Sequence, residues 1–183
     1  MTATVLDPHT ALIVVDLQKG ITGLPTAHPS AGVVENAATL ADAFRAKGLP
    51  VVLVRVTGGA PGRNEGPARS GTPAADWAEI VPEMGPREGD IIVTKQQWGA
   101  FYGTDLDLQL RRRGVTQVVL AGIATSIGVE STARSAHEHG YHVTLATDAM
   151  TDMSGEAHDN SVRRIFPRLG ETGTTDEIVK LLG

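Results

Sequence analysis

The sequence predicts an α/β fold, a three-layer α/β/α sandwich built on a parallel sheet. Three features carry that expectation. Apolar runs recur five times along the chain, helical patterns separate them, and the runs are continuous rather than alternating. A strand with one wet face alternates polar and apolar residues, whereas a strand covered on both faces by helices does not. Strands alternating with helices need crossover connections, which are right-handed and put helices on both faces of the sheet.

Taken in order, the first run is "ALIVVD" at 11–16. A helix follows at 31–48, where Val34, Ala37, Ala41 and Phe44 recur at helical spacing and Gly48 closes the segment. The second run is "PVVLVRV" at 50–56. It opens into "TGGAPGRNEGPARSGTP" at 57–73, which holds five Gly and three Pro and reads as irregular. A long loop directly after a strand lies on the ligand-binding edge of such a sheet and serves as a lid, a binding loop or an oligomer contact. "DIIVTK" at 90–95 is the third strand, and "TDLDLQLRRRG" at 104–114 is a helix with Thr104 and Asp107 as a capping box and Gly114 as its stop. The fourth strand is "QVVLAGI" at 117–123; a helix over 126–140 starts at Ser126 as N-cap. The fifth strand is "HVTLATD" at 142–148, with helices at 154–166 and 174–182 completing the chain. Residues 1–183 read as one domain.

Composition narrows the function. The chain has 183 residues, a hydrophobic share of 41% and a formal net charge of −5, which suits a globular protein and not a polyanion binder. The only basic run, "RRR" at 111–113, sits at a helix C-terminus, where cations belong on dipole grounds. There is no cysteine, which excludes disulfides, zinc–thiolate sites and a thiol nucleophile. The first apolar run has no basic segment before it and no run reaches the length of a membrane span, so the expectation is a cytoplasmic protein without a nucleic-acid or membrane partner.

Three spots fall at strand C-termini: Asp16 in "VVDLQKG", Lys95 in "VTKQQWGAF", and the turn "GIATSIG". A lone Asp at a strand end reads as a helix cap. Three such spots on one sheet edge read as a site, because open α/β sheets bind ligands there. Trp98, Phe101 and Tyr102 concentrate aromatics just after Lys95, either as a pocket wall or partner contact or as a core plug. Arg63 and Arg69 in the Gly-rich loop are either carboxylate ligands or ordinary exposed arginines. Thr125 and Ser126 offer hydroxyls, or simply cap the following helix. "HEHGYH" at 137–142 gathers histidines at a helix end away from the strand C-termini, so no metal is expected; no dinucleotide fingerprint or P-loop supports a cofactor.

From "ALIVVDLQ" to the last helix, and most of all in "VTKQQWGAFYGTDLDLQLRRRGVTQVVLAGIATSIGVESTARSAHEHGYHVTLATDAM", the chain resembles the isochorismatase-like hydrolases, which include isochorismatases, nicotinamidases and N-carbamoylsarcosine amidases. The resemblance implies a Rossmann-like sandwich with six parallel strands and a homodimer or higher homo-oligomer. It also implies a cis, non-proline peptide bond aligned with Ile123–Ala124, in a turn whose amides form an oxyanion hole. Most of these enzymes use an Asp–Lys–Cys triad. Asp16 and Lys95 match the first two members, and Gly128 stands where the cysteine would be. No thioester can form there. The isochorismatase branch also has Gly at this position and cleaves a vinyl ether with an Asp as general acid and water as the attacking group. Two features depart from that branch: it carries a glutamine just after the second strand, where this chain reads "VTGGAPG", and "VESTARSA" reads like the cysteine-hydrolase branch. The expectation is a hydrolase of a small molecule, with Asp16, Lys95 and Gly128 at its centre and Trp98, Phe101, Tyr102, Ile123, Ala124, Thr125 and Ser126 around the substrate. The alternative is a non-catalytic relative that binds a small molecule or serves as a structural partner.

Overall fold

The computed structural model describes residues 2–66 and 71–183. Its six strands are β1 (Thr10–Val15), β2 (Val51–Val56), β3 (Ile91–Lys95), β4 (Gln117–Ile123), β5 (His142–Thr151) and β6 (Glu171–Gly173). They form one sheet in the order β3-β2-β1-β4-β5-β6, and every neighbouring pair is parallel. The helices are α1 (Lys19–Thr22), α2 (Ser30–Ala46), α3 (Leu106–Arg112), α4 (Glu130–Glu138), α5 (Gly155–Asn160), α6 (Phe166–Leu169) and α7 (Thr175–Leu182).

The continuous apolar runs are explained by two cores, one on each face of the sheet. Along β1, Ala11, Ile13 and Val15 face a core that includes Leu106 and Leu110 of α3, Ala133 and Ala136 of α4, and Phe166 of α6. Leu12 and Val14 point the other way, into a core with Leu40, Ala41 and Phe44 of α2 and Ile178 of α7. Each fully buried Leu, Ile or Phe contributes about 1.5–3 kcal/mol relative to exposure, so a polar residue on either face of β1 would be costly. The edge strand β3 departs from the expectation of two covered faces. Ile91 and Val93 are buried, but Ile92 and Thr94 face solvent, because no helix covers that side at the sheet edge.

Local boundaries differ from the sequence reading where capping chemistry does. Strand β5 runs to Thr151, three residues beyond the expected end, and β6 is too short to stand out as an apolar run. Thr104 and Asp107 do not form a capping box: α3 begins only at Leu106, with no side-chain cap. Thr104 Oγ1 accepts from the Leu106 N–H at 3.2 Å and donates to the Ala100 carbonyl at 2.5 Å, while Asp107 accepts from Tyr141 at 2.7 Å and from Arg111 at 3.2 Å rather than reaching back to Thr104. Helix α7 does carry a full capping box, between Thr174 and Glu177.

Strand order reverses at β1, whose neighbours β2 and β4 are followed by connections on opposite faces. The crevice at the C-terminal ends of β1 and β4 is therefore the ligand position that the topology favours. Gly122 lets β4 approach β1 closely at this end. Its φ is +121°, and a Cβ there would stand 2.0 Å from the Val15 carbonyl oxygen.

Candidate active site

The crevice holds three residues brought together from three connections. Asp16 follows β1 in the left-handed backbone region, at φ 54°, where Asp is one of the few tolerated non-glycine residues. Its N–H donates to the Val54 carbonyl and its carbonyl accepts from the Gln18 N–H, both at 2.9 Å, so the chain turns tightly over the sheet end. The Gln18 side chain, wholly buried, secures that turn. Its Oε1 accepts from the Val56 N–H at 2.8 Å, while its Nε2 donates to the Val56 carbonyl at 3.0 Å and the Trp77 carbonyl at 3.2 Å.

Lys95 ends β3, and its side chain reaches past the end of β2 to Asp16. The Nζ donates to Asp16 Oδ2 at 2.7 Å and to the Gln97 carbonyl at 3.1 Å. Lys95 is 2% exposed and Asp16 6%. Two charges buried this deeply hold each other ionised only through close contact. The other Asp16 oxygen, Oδ1, is buried and has no hydrogen-bond partner among the described residues. Burial is the larger influence on this carboxyl and outweighs the attraction and hydrogen bond of Lys95, raising its pKa from 3.8 to about 6.

Gly128 lies in a π-helical turn, Thr125–Val129, between β4 and α4. A Cβ on it would stand 3.0 Å from Val15 Cγ1, 3.4 Å from Asp16 Oδ2 and 3.6 Å from the Trp98 carbonyl oxygen. The missing side chain is thus a missing wall directly beside the Asp16 carboxylate. The peptide bond Ile123–Ala124, at the entrance to this turn, is cis. Asp16, Lys95 and Gly128 share a cavity of about 210 Å³ with an otherwise largely apolar lining. Ile21 and Leu24 come from α1 and its exit, Val56, Gly58 and Gly59 from the end of β2, Ile123, Ala124 and Ile127 from the turn after β4, and Met153 from the end of β5. Gln97 and Trp98 complete it. A larger groove beside α2, about 620 Å³, is lined by the exposed carboxylates Glu35, Asp42 and Glu83, with no buried ionisable group.

The other expected site residues separate. Trp98, Ile123 and Ala124 line the cavity. Phe101 does not: it is 6% exposed and packs in the core, with its ring 5.1 Å from His139 and 6.0 Å from Tyr141. Tyr102 lies outside the lining and is 81% exposed. Thr125 points away from the cavity and hydrogen-bonds His158 Nδ1 at 2.8 Å. Ser126 is not an N-cap. Its N–H and hydroxyl both donate to Asp152 Oδ2 at 2.8 Å, so the carboxylate that caps this helical segment comes from the end of β5. Arg63 is exposed and outside the lining, and Arg69 lies outside the described residues. Among the described residues no group of three His, Asp or Glu gathers to hold a metal ion.

Sequence reasoning passed over Gln18, Gln97 and Met153. Gln18 was legible in one respect: a Gln two residues after a strand-end Asp, at the edge of a wholly apolar core, needs partners. Met153 follows the end of a strand read as three residues too short, and nothing local marks it.

Comparison with known proteins agrees with this architecture. The isochorismatase domain profile matches residues 10–177. The isochorismatase family protein YwoC of Bacillus subtilis strain 168 is 51% identical over 178 residues, covering 93% of both chains. The isochorismatase family protein YecD of Escherichia coli O157:H7 is 46% identical, over 94% of this chain and 96% of its own length. The solved structure of an isochorismatase family protein from Burkholderia thailandensis matches with a TM-score of 0.93 at 42% identity, covering 97% of each chain. Fold, sheet order and likeness along nearly the whole length lead to one assignment: the chain belongs to the isochorismatase family of hydrolases.

Proposed function

We propose that the protein hydrolyses a small molecule without a cysteine nucleophile, by the isochorismate-type cleavage of a vinyl ether, with Asp16 as general acid and Lys95 as its electrostatic partner. The observation that carries this reading is the asymmetry of the Asp16 carboxyl. Oδ2 is held by Lys95, whereas Oδ1 is buried without a partner, in a cavity where Gly128 leaves room for a substrate.

The chemistry needs a proton on carbon, not a covalent adduct. The protonated Asp16 gives its proton to the terminal carbon of the C=C–O unit, and the adjacent carbon becomes an oxocarbenium ion. Water adds to that carbon and returns a proton to the Asp16 carboxylate. The resulting hemiacetal or hemiketal then breaks its C–O bond to release an alcohol and a carbonyl compound. An acid with a pKa near 6 is poised for this, since about a tenth is protonated even at neutrality, far more than for an ordinary aspartic acid, while the conjugate base remains competent to take the proton back. Lys95 fixes the orientation of the carboxyl through Oδ2 and restrains the rise in its pKa, which keeps the ionised form accessible after proton transfer.

The same reading includes a cytoplasmic homodimer or higher homo-oligomer. Trp98 is 66% exposed, Leu24 41% and Met153 46%, and all three line the cavity, so a second copy of the chain seated there would cover its apolar rim. The test is a rate comparison between the wild type and Asp16→Asn on isochorismate and simple vinyl ethers, with small amides as controls. Loss of vinyl-ether hydrolysis in the variant supports the reading. An unchanged rate refutes it.

A further inference from the structure

Behind the cavity lies a second cluster of polar and titratable side chains that the reaction above does not use. His158, on α5, is 8% exposed, and its Nδ1 stands 2.8 Å from Oγ1 of Thr125, which is fully buried. The ring of His158 meets that of His28 edge to face, with centroids 4.8 Å apart. His28 in turn is tied to Thr151: Oγ1 of that residue accepts from the His28 N–H at 3.1 Å and lies 3.2 Å from its Nδ1. Each contact leads to a different cavity wall. Thr125 directly follows Ala124 and begins the turn that carries Ile127 and Gly128. The His28 segment leads back to Leu24, and Thr151 leads on to Met153.

We propose that His158 is a positioning residue: through Thr125 it holds the turn that sets Gly128 against Asp16, and its neutral form holds it better than its protonated form. This rests on the active-site reading given above. A neutral imidazole can accept the Thr125 hydroxyl proton at Nδ1. Its protonated form has no lone pair there and can only donate to Oγ1, which leaves the hydroxyl proton, enclosed by core, with no other partner among the hydrogen bonds of the described residues. The surroundings favour the neutral form. Burial first, and then His28, lower the pKa of His158, against the opposing pull of Asp159 and Asp152. Asp152 is itself occupied, accepting from Ser126 at Oδ2 and from the Ser154 N–H at Oδ1. A proton on His158 would also set a cation beside the neighbouring imidazole of His28. The cluster is thus a joint fully satisfied in one protonation state, behind a turn whose side chains must be placed to a fraction of an ångström.

Two pairs of variants separate positioning from mere packing. His158→Phe keeps a ring and loses the hydrogen bond, whereas His158→Asn puts an amide where Nδ1 stood. Thr125→Val keeps the shape and loses the hydroxyl, whereas Thr125→Ser keeps it. With isochorismate or a vinyl ether as the probe, His158→Phe and Thr125→Val should each lower kcat/KM about tenfold or more, and the double variant no further. The Asn and Ser forms should recover to within about threefold. The wild-type pH profile should fall on the acid side as His158 takes its proton, and His158→Asn should lack that limb. Amide NMR shifts provide a readout that needs no turnover: those of residues 124–128 should move together in His158→Phe and Thr125→Val, and return in Asn and Ser. If the wild type turns over neither probe, the functional reading fails and the NMR result alone decides this proposal. Lowered thermal stability with unmoved amide shifts and an unchanged kcat/KM would reduce His158 to a packing residue and overturn it.

Discussion

Removing the candidate general acid leaves Lys95 buried without its counter-charge, but it should also abolish a loss of stability that the wild type shows as pH rises through about 6. Asp16 is the perturbed group, and its environment supplies the magnitude. Its carboxyl is raised from 3.8 to about 6, chiefly by burial. At roughly 1.4 kcal/mol per pKa unit, the ionised form costs about 3 kcal/mol of folding stability relative to the protonated form. The sign follows from linkage. A group whose folded pKa is raised contributes stability that is complete below its unfolded value, here 3.8, and is lost as pH rises through its folded value, here about 6. Asparagine has nearly the same shape and no proton to lose. Relative to Asp16→Asn, the wild type should therefore lose about 2 kcal/mol between about pH 4.5 and pH 8. For a chain of this size that is a relative shift in Tm of about 4–8 °C. Urea denaturation of both proteins across that range measures it directly. Parallel stability curves would mean that Asp16 titrates normally, and the idea of a burial-tuned acid would then have no thermodynamic basis.

Gly128→Cys would place a thiol beside Asp16 and Lys95, with its Cβ 3.0 Å from Cγ1 of buried Val15, so β1 or the turn must shift by a few tenths of an ångström to admit it. Weak hydrolysis of small amides should appear in that variant, with none by the wild type on nicotinamide; robust wild-type turnover of nicotinamide would require a nucleophile absent from this site. Trp98→Ala removes a large exposed apolar group at the cavity mouth and should weaken both self-association and turnover. Sedimentation showing a wild-type monomer at micromolar concentration, with the variant equally active, would dismiss the subunit contact.

Much of the fold was legible because burial on both faces leaves a direct mark on composition. Every residue of "TALIVV" is buried, and the continuous run says so. Edge positions were harder: β3 has one uncovered face, yet Ile92 there is as apolar as its buried neighbours. Short β6 has too few residues to show a pattern, so the six-stranded sheet came from likeness to relatives and not from periodicity. Within the site, Asp16 and Lys95 stood out because a charge at the end of an apolar strand is costly without a purpose. The direction of Thr125 and Ser126 was not legible, because it depends on His158 and Asp152, 33 and 26 residues away along the chain. Phe101 illustrates the same limit. Three aromatics within five residues look alike in sequence, and only packing against His139 and Tyr141 separates the buried one from Trp98 at the cavity and Tyr102 in solvent.

The central claim is that a lone buried carboxylic acid, without a protein nucleophile, carries the reaction. The measurement closest to it is the pH dependence of kcat/KM for vinyl-ether hydrolysis, in wild type and Asp16→Asn side by side. The account predicts that wild-type activity declines as pH rises through about 6, following the Asp16 proton. It also predicts that Asp16→Asn loses about 10²–10⁴ in rate and no longer shows that decline. An Asp16→Asn protein that keeps wild-type kcat/KM and the same alkaline limb would contradict it.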